Sequence, residues 1–210
     1  PYDFAGLVLE AGDVEEKLNW YYGLNTWHSN FNENLFTSAC PTSSDHMAKL
    51  IYDAGGQDTL TLFSAHGYAR YEMPWERWWT FDPTAGDWRG VSPGPDFARQ
   101  GHDLDAITLN RTLSPTSFWT LRLSRLRHFL QLEVGDPENL YWQHRDERML
   151  TGQLDFEQQV AGHRLRGGLW QINSGNDSHY SVYGTQYSPF GLLDSISDND
   201  TRNTQAYLED

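Results

Sequence analysis

The sequence predicts an all-β protein: an antiparallel up-and-down meander, closed as a barrel or packed as a two-sheet sandwich, with a short N-terminal helix. Three observations carry this. From Leu50 onward, apolar residues recur at every second position, the period of a strand with one buried face. Short polar turns such as AGGQ, DPTAGD, GDPEN and NSGND separate these runs in the manner of antiparallel hairpins. No segment of this half has the pattern of the crossover helix that a parallel sheet requires.

The helix is expected over about residues 13–23, in DVEEKLNWYYGL. Asp13 caps it, Val14, Leu18 and Tyr21 or Tyr22 share one side, and Gly23 ends it. KLIYDAG and DTLTLFSA then form a hairpin. Gly55-Gly56 supplies its positive φ angles, and Asp53 and Asp58 cap its ends. RYEMPWERWWTF is an aromatic strand, and DAITLNRTL follows a loop rich in Pro and Gly. In SFWTLRLSRL, Trp119, Leu121 and Leu123 share a face, whereas Leu126, His128, Leu130, Leu132 and Val134 have the other parity. A bulge or turn is therefore expected near Ser124-Arg125. Four shorter strands follow, divided at TG, AG and NSGND. Residues 1–193 read as one β-rich domain and 194–210 as an acidic C-terminal tail. Closure into a barrel is the economical arrangement because it removes exposed edges.

A chain of 210 residues can form one domain with a substantial core. Its 14% aromatic content argues against disorder. The net charge of −14 argues against nonspecific nucleic-acid binding and against attraction to an anionic membrane. No apolar run approaches the roughly 20 residues of a membrane helix. The reading is thus a soluble protein without membrane insertion, its N-terminus processed or trimmed because it begins at Pro1. Cys40 is the sole cysteine, so no internal disulfide can form. No G-x-S-x-G elbow, Walker loop, dinucleotide fingerprint or C-x-x-C occurs.

Three groups of residues are candidates for function. Trp75, Trp78, Trp79 and Phe81 place large aromatics on both faces of one strand, and one face is then available to a ligand or partner. Trp142, His144, Asp146 and Arg148 share a strand face, where His144 and Asp146 could exchange protons and Arg148 could hold an anion. Asp53 and Asp58 are the calcium candidates. GHDLD, with His102, Asp103 and Asp105, reads as a capped turn. An arginine stripe from Arg111 to Arg166 reads as interstrand pairing with Glu133, Glu147, Asp155 and Glu157.

QQVAGHRLRGGLWQI resembles the late strands of calycin (lipocalin-like) barrels, although NWYYGLNTW stands where that family has G-x-W. The resemblance implies a barrel around a ligand cavity. DAGGQDTL, with YYGLN upstream, resembles the segment ahead of the calcium-binding repeats of serralysin-type secreted proteases. Those repeats read G-G-x-G-x-D in tandem; here there is one GGQD and no H-E-x-x-H, so no catalytic residue carries over. The resulting expectation is a non-catalytic binding or accessory protein whose aromatic-rich barrel contacts an apolar small molecule or a partner subunit. A barrel-cavity enzyme of isomerase, cyclase or lyase type is the second reading. A calcium-dependent module of a secreted protein is the third.

Overall fold

The computed structural model describes residues 3–30, 42–72, 78–82, 87–91, 97–134, 141–182 and 193–210. Within these, every regular element is a strand: β1 (Asp3–Val14), β2 (Leu18–Asn30), β3 (Thr42–Gly55), β4 (Asp58–Glu72), β5 (Trp78–Asp82), β6 (Asp87–Val91), β7 (Phe97–Ser114), β8 (Ser117–Val134), β9 (Tyr141–Val160), β10 (His163–Val182) and β11 (Leu193–Glu209). Nine of them form one antiparallel meander in the order β1-β2-β3-β4-β7-β8-β9-β10-β11, and β5 and β6 pair as a separate hairpin.

The all-β expectation holds, but three of its details are corrected. The expected helix over 13–23 is the end of β1, a turn and the start of β2. Alternation decides this: Leu18, Trp20, Tyr22 and Leu24 all lie on one face of β2. Strand pairing then satisfies the backbone from both sides, with Tyr22 opposite Ala11 and Ala48. Glu15 N–H donates to Leu18 O at 2.9 Å and closes the turn.

The closed barrel is also corrected, because β1 and β11 are not paired with each other. The physical reason is direction. Nine antiparallel strands in sequence leave the first and last running the same way, and joining them would make a parallel pair in an otherwise antiparallel meander. The sandwich is not formed either, since the second sheet among the described residues is only the β5–β6 hairpin.

The third correction concerns strand length. β8 runs unbroken through Ser124-Arg125, β9 through Thr151-Gly152 and β10 through Asn173–Asp177. Register shifts fall instead at Asp53/Gly55 and Thr112/Ser114, beside turns. The acidic tail of the sequence reading, 194–210, lies almost wholly in β11 (Leu193–Glu209), on the edge of β10. The GGQD turn is a hairpin loop: Gly55 and Gly56 have φ of 108° and 54°, and Asp53 Oδ1 accepts the Gly55 N–H at 2.9 Å.

A sheet one layer thick covers little of itself. The accessible surface is 14463 Å², against about 10,000 Å² for a compact monomer of this mass. Ala98 is the only buried apolar residue among those described, while Leu7, Leu9, Ile107, Leu123, Leu150, Leu169 and Leu208 are exposed.

Candidate functional site: an apolar face under a charged layer

Cross-strand partners in a sheet present their side chains on the same side, so the register sorts every residue to a face. One register row reads Leu18, Tyr52, Leu60, Leu109, Leu121, Leu154, Leu169 and Ala206 from β2 to β11. The next row on that face begins Trp20, Leu50, Leu62, Ile107 and Leu123. The opposite face carries Thr108, Asn110, Thr120, Arg122, Gln153, Asp155 and Glu157 at the same level. These polar groups are mutually engaged. Thr120 Oγ1 donates to Asn110 at 2.8 Å, Tyr207 OH donates to Asp155 at 2.6 Å, and Glu157 accepts from Arg164 and, at 2.9 Å, from Arg166.

The apolar band does not follow the register rows; it crosses them. On β1 it includes Leu7 and Leu9. The row that starts at Leu9 passes through Leu24, His46 and His66, then reaches Asp103, Arg127 and Arg148. By β10 the band has moved toward the short turns, to Leu165 and Leu169.

Above the band lies a charged layer on the same face. Asp146, only 3% exposed, is its centre. Arg127 Nη2 donates to Asp146 at 2.7 Å, and Arg148 Nε donates from the other side at 3.2 Å. These two guanidiniums hold the Asp146 carboxyl down at about 2, Arg127 being the stronger cause. The Arg127 guanidinium also lies 5.7 Å over the Phe129 ring. His66 Nδ1 lies 2.8 Å from Asp103 Oδ1, and Ser64 Oγ donates to Asp105 at 2.6 Å.

Between β2 and β9 the apolar face hollows into an open trough of about 650 Å³. Trp20, Leu50, Leu62, Ile107, Leu123 and Leu150 line it, with Ser64, Asp105 and Arg125 at its charged rim.

The sequence candidates are thus distributed unevenly. Trp142, His144, Asp146 and Arg148 do share a face, but not as an acid–base pair. His144 stacks on Trp142 at 6.0 Å, the Trp142 ring meets His179 edge-on at 4.6 Å, and both Asp146 oxygens are taken by arginines. Trp75 lies outside the described residues, as do the side chains of Trp78, Trp79 and Phe81 on β5. Asp58 faces Arg111 at 3.5 Å, and Asp53 serves its own turn. Asp103 and Asp105 lie in the middle of β7, not in a capped turn. Sequence reasoning placed Arg125 and Arg127 in a general stripe and missed their separate fates. The signal needed was the β7–β8–β9 register, which sets Arg127 opposite Arg148 but Arg125 opposite Leu150.

No protein-family model matches this chain, and no curated protein matches it.

Proposed function

We propose that the nine-stranded sheet is a membrane-embedded β-wall, with its apolar face against lipid and its polar face toward water. The observation that carries this is the join between connection length and the position of the apolar band. β1–β2, β3–β4, β7–β8 and β9–β10 are linked at one end by 15–17, 56–57, 115–116 and 161–162. At the other end the links are 31–41, 73–96, 135–140 and 183–192. Short turns at one end and longer connections at the other, with alternating apolar and polar faces, are the pattern of membrane-spanning antiparallel sheets. The apolar band sits toward the short-turn end, running from Leu18 to Leu24 on β2, from Trp119 to Leu123 on β8 and from Leu150 to Phe156 on β9. A band oblique to the register rows is what tilted strands require, since the membrane plane then cuts across the rows. In water the same face would leave a large apolar surface uncovered.

The sequence expectation of no membrane insertion rested on charge and on the lack of an apolar helix. No helix among the described residues is long and apolar enough to cross a membrane. Strands cross by a different pattern, and that criterion does not reach them.

Adjacent residues on opposite faces make the test. Ile107→Arg puts a charge on the apolar face, and Thr108→Arg puts one on the polar face. In vesicles, Ile107→Arg should reduce unfolding stability by about 2–4 kcal/mol, with little change for Thr108→Arg. Equal effects, or a wild-type chain that stays monodisperse in detergent-free buffer and ignores vesicles, would overturn the proposal.

One observation favours a second reading, a binding protein for an apolar small molecule: the trough, whose volume falls in the ordinary range of ligand sites.

A further inference from the structure

Arg125 stands apart from the rest of the charged layer. Arg127, two residues on and on the same face, is committed to Asp146. Asp105, directly across from Arg125 in register, accepts from Ser64 at 2.6 Å and has His66 Nε2 at 3.8 Å. On the other side Arg125 faces Leu150, which offers no acceptor in its side chain. Arg125 itself makes no ion pair or side-chain hydrogen bond with any described residue, and it is exposed at the rim of the trough. The trough therefore has an apolar floor that ends at an uncommitted guanidinium.

We infer that this trough seats an anionic amphiphile, its hydrocarbon tail on Leu50, Leu62, Ile107, Leu123 and Leu150 and its phosphate or carboxylate against Arg125. The chemistry is matched at both ends. A planar guanidinium gives two parallel N–H donors to an oxyanion, and Leu50, Leu62, Ile107 and Leu123 supply the apolar side chains of the trough. The boundary between apolar band and charged layer is also where a headgroup would stand if the face lies against lipid. The site itself depends on the trough and on Arg125; only the source of its ligand, membrane lipid or free amphiphile, rests on the membrane reading.

Native mass spectrometry separates the possibilities. The purified chain is released from nanodiscs of phosphatidylcholine doped with phosphatidylglycerol, and in parallel is titrated with dodecyl phosphate or dodecyl maltoside in buffer. Wild type should retain the anionic species over its neutral counterpart. Arg125→Gln should weaken that retention about tenfold, Arg125→Lys should recover part of it, and Arg122→Gln on the opposite face should leave it unchanged. Retention of phosphatidylglycerol identifies a membrane lipid as the source. Binding of dodecyl phosphate by a chain that does not enter nanodiscs supports the site while removing the membrane reading. Equal retention of anionic and neutral species, or no difference between wild type and Arg125→Gln, overturns the inference.

Discussion

Asp146 shows how one side chain anchors the charged layer. It is the one buried carboxylate among the described residues and carries two arginines from β8 and β9. It lies beyond the apolar band, on the side away from the short turns. Its folded-state pKa is depressed from 3.8 to about 2. Such a group stabilises the fold above its unfolded value, and the contribution is lost as pH falls from about 4 through about 2. The full shift corresponds to at most about 2 kcal/mol, reduced by solvent around the arginines, which are 38% and 67% exposed. Asp146→Asn should therefore be less stable than wild type at pH 6 in urea unfolding, and the gap should shrink at pH 2.5. A gap of the same size at both pH values would show that the carboxylate's charge is not the cause. The same two bonds explain why His144 and Asp146, though correctly placed on one face by sequence parity, do not form a proton-transfer pair.

At the scale of elements, the turns were more legible than the strands. Gly55-Gly56 and Ala161-Gly162 both close hairpins where the sequence places them. Ala161 and Gly162 have φ of 51° and 89°, the positive values of a two-residue hairpin turn with the twist of the flanking strands. Alanine is the strained member, since its Cβ crowds the following carbonyl in this region. Ala161→Asn should raise stability by about 0.5–1 kcal/mol, and Ala161→Val should lower it; thermal melts of both would decide, and a destabilised Ala161→Asn would refute the turn assignment. Strand lengths were misread for one physical reason. A strand that crosses from an apolar band into a charged layer keeps its alternation of faces but changes which face is apolar. Leu121 and Leu123 belong to the band, whereas Leu126, Leu130 and Leu132 lie on the opposite face at the level of the charged layer. Period-two reasoning saw that exchange as a bulge at Ser124-Arg125. NSGND looked like a turn for a related reason: its polar residues lie beyond the apolar band, within a continuous β10. Pairing across strands, which a single sequence does not display, was needed to tell the two cases apart.

For the whole molecule, the open edges matter most. β1 and β11 run in the same direction, so neither can complete the other in an antiparallel meander. Self-association in a membrane does not remove the difficulty, because copies inserted with one orientation again bring like-directed edges together. On the membrane reading, backbone groups facing lipid must be paired, and the two edges would then fit antiparallel strands outside these nine. An open sheet and a closed one differ in a measurable way. In detergent, amide hydrogen exchange should be slowest in β7, β8 and β9, which are paired on both sides, and should quicken toward β1 and β11, whose outer amides have no strand partner among the described residues. In β1, alternate amides should differ, those directed toward β2 exchanging more slowly than those directed away from it. Uniform protection from β1 to β11 would mean that the edges are closed in solution, and the direction argument would then fail.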